Sequence, residues 1–347
     1  MHLVRHRLFW PLVALVALLA ANTINTPSFL SLRVQDGHLF GALIDIMRNS
    51  APLLLVALGM TLVIATRGID LSVGAVVAIS GAVALSFIGS SPNPEAVSTV
   101  LIAVGIALGL CFVLGVWNGF LVSVLGIQPI IATLVLMTAG RGIAMLITEG
   151  QITTINSPAY RVIGSGFWLG LPVAILIAGA IFALVAVLTR RTALGMLIES
   201  VGINPEASRL AGVQSRSIVW TVYALTGLFA GIAGLMISSN VMAADANNAG
   251  LFIELDAILA VVIGGTSLAG GKFSLAGTLI GAFIIQTLTL TVTILGISPS
   301  VTPLFKAIVV IAVVLMQAPI VRKKMAARRP QGPRPAVVEA KPVEVAA

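Results

Sequence analysis

Residue types able to do covalent or acid–base chemistry are sparse in this chain and badly placed to cooperate. Its three histidines, His2, His6 and His38, all lie near the N-terminus, so no histidine-based triad or metal cluster can form farther along. The run Gly270-Gly271-Lys272-Phe273-Ser274 imitates a phosphate-binding loop. It fails at two positions: residue 266 is Thr where the first glycine is needed, and Phe273 stands where Ser or Thr is required. Asp45, Asp70 and Asp256 fall near the ends of apolar blocks, where helix capping accounts for them. Nothing resembles the buried carboxylate chain of a proton-driven carrier. The deepest charge is Arg141, in Gly140-Arg-Gly142. A charge at membrane depth is costly and points to function, but Arg141 is close enough to a span end for pairing or snorkelling to explain it. The expectation is a chain with no catalytic residues, no metal and no cofactor of its own.

What the chain does offer is a place to dock. Residues 190–217 form the one long polar stretch in the middle of the sequence. Within it, Asn204 suits an N-cap, Pro205 the first helical position, and Glu206 the positive start of a helix. Gly212 suits a left-handed stop. Ala207, Leu210 and Ala211 share one face at i, i+3 and i+4 spacing. A short helix over 205–211 follows. It either docks a cytoplasmic partner or lies as an ordinary loop helix on its own bundle.

The elements that must position these residues are membrane spans. With 58% hydrophobic and 9% charged residues, the chain cannot be a soluble domain. Blocks of roughly 20 apolar residues cross the bilayer as helices, because the hydrocarbon offers no water to backbone groups. Ten blocks are expected: 8–24, 46–65, 71–89, 97–118, 129–148, 167–189, 218–241, 255–268, 275–295 and 303–321. With the N-terminus inside, fifteen basic residues fall on the cytoplasmic side, from Arg5 and Arg7 through Arg67, Arg190, Arg191, Arg209, Arg216 and Lys272 to the set between Arg322 and Lys341. Four fall outside: Arg33, Arg48, Arg161 and Lys306. That asymmetry places both termini in the cytoplasm. It also assigns the basic surplus of +8 to orientation rather than to nucleic acid. The apolar start after Arg7 imitates a signal peptide and is read as an uncleaved first span. Residues 1–325 make one polytopic domain, and residues 326–347 a disordered cytoplasmic tail. The lone Cys111 is apolar filler.

A weak internal repeat runs at an offset of five spans. Leu125-Gly-Ile-Gln-Pro129 is echoed by Leu295-Gly-Ile-Ser-Pro299, and Ile69-Asp70 by Leu255-Asp256. An odd offset inverts the second half, so a five-plus-five inverted repeat is expected. The block 255–268 is too short to cross alone, and residues 66–74 put polar, bending residues between two spans. Interrupted helices at matching positions point to a transport path, while tight surface turns are the plainer reading. The pairs Gly105/Gly109, Gly227/Gly231 and Gly277/Gly281 permit close helix contact. The alternating Thr287, Thr289, Thr291 and Thr293 imitate a strand, yet in lipid they should be helical, with hydroxyls bonded back one turn.

Three motifs in order carry a resemblance. Thr66-Arg-Gly-Ile-Asp-Leu-Ser-Val-Gly74, Gly202-Ile-Asn-Pro-Glu-Ala207 and Ala260-Val-Val-Ile-Gly-Gly-Thr-Ser-Leu-Ala-Gly-Gly271 resemble the ribose/galactose-type permeases of bacterial ABC sugar importers, over nearly the whole chain to about Val321. Many such permeases have glycine where Arg67 stands, so that loop is expected to sit differently here. More narrowly, Val34-Gln-Asp-Gly-His-Leu-Phe-Gly41, Gly150-Gln-Ile-Thr-Thr-Ile-Asn-Ser-Pro158 and Ala244-Asp-Ala-Asn-Asn-Ala-Gly250 look like permeases of galactofuranose importers. The resemblance implies an all-α protein of the bacterial inner membrane. It also implies partners: an ATPase subunit that uses ATP and Mg, a periplasmic sugar-binding protein, and a second permease that is different but homologous. Gly202, Asn204, Pro205, Glu206, Ala207, Arg209, Leu210 and Gly212 would couple to the ATPase. Asp70, Asn118, Gln128, Thr133 and Arg141 would line the sugar path, and Asp245, Asn247 and Asn248 would meet the binding protein. Two other classes stay open: an ion-coupled secondary carrier, and an integral membrane enzyme acting on lipid-linked sugars. The second needs convergent acid, base or metal groups that the sequence lacks. Few aromatics can stack on a sugar, Trp117 beside Asn118 being the one near a path, so weak sugar binding by this chain alone is expected.

Overall fold

The computed structural model describes residues 8–317. Arg5, Arg7, the basic residues from Arg322 onward and the tail 326–347 lie outside the described residues. Thirteen helices follow in order among the described residues: α1 Phe9–Asn25, α2 Ala42–Ala65, α3 Val73–Ser90, α4 Val97–Ser123, α5 Pro129–Ile147, α6 Pro158–Ser165, α7 Val173–Arg191, α8 Leu194–Ile203, α9 Pro205–Leu210, α10 Ser215–Val241, α11 Ile253–Ile263, α12 Leu275–Ile294 and α13 Thr302–Gln317. Seven of them, α2, α3, α4, α5, α7, α10 and α12, are long and apolar enough to cross a membrane.

Each expected block contains a helix, with informative shifts. The block expected from 167 starts its helix only at Val173. Phe167–Trp168 (β4) and Leu171–Pro172 (β5) pair as a small hairpin, turned by Leu169 and Gly170 at φ 53° and 77°. The turn consumes six residues that hydropathy alone assigns to the span. The earlier strands Arg33–Gln35 (β1) and His38–Phe40 (β2) form a similar hairpin around Asp36 and Gly37, both at positive φ. The fourth block extends to Ser123, and the eighth shrinks to the eleven residues of α11. The threonine run is helical: Thr287, Thr289, Thr291 and Thr293 donate to the carbonyls of Phe283, Ile285, Thr287 and Thr289 at 2.7 to 3.1 Å.

The core forms around α2 and α10. Every residue of α2 from Leu53 to Ala65 is buried, whereas α7 buries only Ala174, Ala178 and Val185. Close approach comes from missing side chains. A Cβ on Gly227 would lie 2.5 Å from the Cys111 carbonyl and 2.8 Å from Gly115 Cα, so α10 meets α4 backbone to backbone. Gly277 and Gly281 fit α12 against Gly264 and Ala260 in the same way. Gly105 and Gly109 do not: nothing lies within 4 Å of a Cβ on either, so the expected packing role fails for that pair within the chain. Cys111 is fully buried against Gly231, as filler.

Loops gather at two ends. At one, Gly271 donates to the Ala65 carbonyl at 2.9 Å, and Arg67 bonds to Ile203. At the other, Thr153–Thr154 (β3) pairs with Ala243–Ala244 (β6), and Leu39 donates to Gly170. Packing partners recur between the sets α2–α5 and α10–α13, whereas α1 packs on α12 and α13 and α7 packs on α2, α6 and α8. Helices α3, α4 and α5 pack on one another, as do α11, α12 and α13. Helix α10 packs on α3 and α4, as α2 packs on α11 and α12, and α2 and α10 pack on each other.

Candidate functional site

Two interruptions meet inside this bundle. The first, residues 66–72, links α2 to α3. Arg67 takes φ 66°, a region glycine favours, and its guanidinium holds the Ile203 carbonyl at the end of α8. Asp70 is 2% exposed, and its Oδ1 accepts from the Ser72 amide at 3.0 Å and the Ser72 hydroxyl at 2.6 Å. Asn118 on α4 donates to Ser72 Oγ at 2.8 Å. Thr133 on α5 accepts from the Leu71 amide at 3.1 Å and donates to the Ile69 carbonyl at 3.2 Å. Burial pushes the Asp70 carboxyl up to about 6, against the pull of its two Ser72 bonds. Tyr223 on α10 is fully buried with its hydroxyl over Gly68, and that hydroxyl has no hydrogen-bond partner.

The second interruption, residues 242–252, links α10 to α11 from the opposite end. Met242, Gly250 and Phe252 all have positive φ. Between them, the Asp245 carboxylate accepts from the amides of Asn247 and Asn248 at 3.0 and 3.2 Å, and from Asn248 Nδ2 at 2.6 Å. The Asn248 side chain, more than the backbone amides, holds this exposed carboxyl below its usual range. Arg141 Nη1 on α5 donates to the carbonyls of Ala246 at 2.9 Å and Ala249 at 2.6 Å.

The two interruptions cross at the start of α3. A Cβ on Gly74 would collide with Glu254 Oε2 and lie 2.7 Å from the Gly250 carbonyl; one on Gly250 would lie 2.8 Å from the Gly74 carbonyl. Glu254, in the first turn of α11, is 6% exposed, and its Oε2 has no hydrogen-bond partner. Both α3 and α11 therefore begin at this buried crossing.

A third element hangs beside the first interruption. Asn204 caps α9, accepting from the Glu206 and Ala207 amides at 3.1 and 3.0 Å, and Gly212 follows at φ 87°. Leu210 is 86% exposed, and Ala207 and Ala211 are exposed with it, while Ser208 faces inward. The apolar face of α9 thus points away from its own bundle, unlike an ordinary loop helix. Gly202 seats α8 directly on the Ala65 carbonyl and the Gly271 amide. A cavity of about 200 Å³ lies under α9, lined in part by Thr66, Gly68, Ser123, Pro205, Arg216 and Tyr223. A larger cavity of about 570 Å³ beside α4 and α7 is lined by apolar residues such as Val104 and Ile177, and offers a sugar's hydroxyls nothing.

The family described as branched-chain amino acid transport system / permease component matches residues 42–314. The chain belongs to this family. Similar curated proteins include the galactofuranose transporter permease protein YtfT of Escherichia coli (strain K12), 50% identical across 90% of this chain and 92% of the relative. The fructose import permease protein FruF of Bifidobacterium longum (strain NCC 2705) is 46% identical across 91% of this chain and 89% of its own. The ribose import permease protein RbsC of Escherichia coli (strain K12) is 38% identical across 88% and 92%. No solved structure matches the chain.

In this permease the expected path residues separate. Asp70, Asn118 and Thr133 converge on the first interruption, and Arg141 serves the second. Gln128 is exposed at the start of α5, next to Pro129, which lines the cavity with Thr66 and Gly68 of the first interruption, and makes no bond to that interruption. Asp245 spends its carboxylate within its own turn, leaving the Asn247 and Asn248 side chains at an exposed tip. Sequence reading missed Ser72, Tyr223 and Glu254. For Glu254 a signal existed: a carboxylate beside Asp256 at the start of an apolar block too short to span.

Proposed function

We propose that the chain is the translocating permease of an ATP-driven importer and that its sugar is galactofuranose. The observation that carries the coupling is α9: a capped helix with Leu210 turned outward, on an α8 seated against the ends of both neighbouring loops. An ATPase subunit that pushes on α9 moves α8, and through Gly202 and Arg67 the push reaches the first interruption without a flexible joint. The sugar assignment rests on the galactofuranose relative at 50% identity, and a periplasmic binding protein and a second permease come with that reading.

Ten spans, with α1, α11 and α13 joining the seven long helices and both termini cytoplasmic, fit this function. The recurrence of packing partners between α2–α5 and α10–α13 supports an inverted repeat, with α3 and α11 as equivalent interrupted elements around one path. Under that topology α8 and α9 are cytoplasmic and the Asp245 turn is extracytoplasmic. One domain to residue 325 with a cytoplasmic tail belongs to the same reading.

Burying Leu210 against a partner is worth ~1.5–3 kcal/mol. Leu210→Asp should therefore weaken association with the ATPase by about tenfold or more while leaving the permease folded. The measurement is co-purification and galactofuranose uptake in proteoliposomes carrying the ATPase and the binding protein. Full association by the variant would remove the coupling assignment. Uptake by the native chain without any ATPase would return the secondary-carrier reading.

A further inference from the structure

Residues 242–252 are a strained stretch of the permease, pinned at the outer end by the β3–β6 pairing and the burial of Met242 and Ala244, and held farther in by side-chain hydrogen bonds to Ala246 and Ala249. Met242 and Phe252 are non-glycine residues at φ 55° and 63°, flanking Gly250 at 65°. Such residues persist only where the surroundings hold them, at a cost of ~1 kcal/mol or more each. The buried cluster around Ala246 is built from Ala78, Ile79, Ala82 and Ala144, with Leu110, Leu114, Met145 and Ile147 packed against it. Non-helical backbone at membrane depth also needs its carbonyls satisfied. Ala246 O and Ala249 O receive that from one nitrogen of Arg141, which bridges them. Glu254 and Asp245 lie near enough to act on the same guanidinium.

We propose that Arg141 is a positioning residue that latches residues 242–252 across the extracytoplasmic mouth of the sugar path. The latched stretch has an exposed tip at Asn247–Asn248 and an inner end, Gly250, resting on Gly74 and Val77 of α3. Displacing the tip withdraws Ala246 and Ala249 from the guanidinium and lifts Gly250 off the start of α3, which opens the crossing. Beyond the β3–β6 pairing the Arg141 bonds are the side-chain grip on the carbonyls of the strained segment, and they decide whether its inner part stays down. A lysine at 141 keeps the charge but not the fixed planar geometry of the donors. The inference rests on the permease reading for the word sugar, and on geometry alone for the latch.

The test uses the full chain with Cys111 replaced by Ala and a reporter cysteine at Ala249, in the assembled transporter in proteoliposomes. Labelling by a membrane-impermeant thiol reagent should speed up at least tenfold in Arg141→Met and about threefold in Arg141→Lys. A control cysteine at Leu39, in the separate β1–β2 hairpin, should be unchanged. Uptake in the lysine variant should show a raised passive sugar leak with an unchanged dependence on ATP. Unchanged protection of position 249 in the lysine variant and in whatever folded methionine variant is obtained overturns the latch. Equal acceleration at 249 and 39 also overturns it, since that reports general loosening. If labelling responds as expected but the native protein takes up no sugar, the latch stands and the permease reading fails.

Discussion

Residues 66–72 and residues 242–252 both interrupt the bundle and end at the same crossing, yet they are held differently. The first is fixed by side chains from two helices, Asn118 of α4 on Ser72 and Thr133 of α5 on the backbone of Ile69 and Leu71. Ser72 in turn bonds the buried Asp70, and Arg67 ties the loop to α8. The second carries its own turn at Asp245, is pinned at its outer end where β6 pairs with β3, and beyond that is gripped by one guanidinium on two carbonyls. A joint with many short bonds transmits displacement; a strap anchored at one end, with one grip beyond it, can be released. The permease thus has a stiff interruption on the side of α9 and a releasable one on the other.

The comparison breaks most severely at the crossing itself. Gly74→Val would drive a branched side chain into Glu254 and the Gly250 carbonyl, an overpacking that costs ~3 kcal/mol or more. Strongly reduced yield of folded protein, or a thermal midpoint lowered by many degrees in detergent, is expected. A normally melting Gly74→Val would mean that the two interruptions do not share a contact point.

Asp70→Asn sharpens the stiff side. The folded-state pKa of Asp70 is raised from 3.8 to about 6, so the folded state holds its proton more tightly than the unfolded chain. Stability from this group is fully present below pH 4 and is lost as pH rises to 6, levelling off above. At pH 7.5 the ionised carboxylate therefore costs on the order of 3 kcal/mol. An asparagine can accept the same two Ser72 bonds without a charge. The variant should melt higher than the native protein at pH 7.5, with the advantage shrinking towards zero by pH 4. A pH-independent difference would show that Asp70 is not held in the way its surroundings dictate.

The smallest effect belongs to the releasable side. Asp245→Ala removes three hydrogen bonds from an exposed turn, and surface changes of this kind shift stability by about 0.5 kcal/mol. The global melt should barely move, while amide exchange at Asn247 and Asn248 accelerates. A large drop in the melt would mean that the tip braces the whole fold and is no lever.

Much of the architecture was legible in the sequence because apolar blocks and caps are local signals. Asn204, Pro205 and Gly212 announced α9 almost to the residue, and the threonine run proved helical for the reason that lipid dictates. The start of α7 was misread because a hairpin in an apolar stretch leaves hydropathy unchanged; only the turn at Leu169 and Gly170 reveals it. Helix α8 was absorbed into a polar loop, since its meaning lies in Gly202 touching Ala65 and Gly271, contacts remote in sequence. The same distance hid Glu254, whose neighbour Gly74 comes 180 positions earlier. Asn118, Thr133 and Asp70 could be named one by one, but their convergence on residues 69–72 is a property of the fold.

The complete burial of α2 has a consequence for how the protein is made. Its neighbours α10, α11 and α12 are synthesised long after it, so at ~5–20 residues per second the helix waits roughly 10–45 s between the completion of Ala65 and that of Ile294. During that interval the surfaces that later close around Thr61 and the Leu53–Ala65 stretch have only lipid, nascent neighbours or an insertion chaperone against them. Sequence choices in α2 are therefore constrained twice, by the finished bundle and by half a minute of solitude in the bilayer.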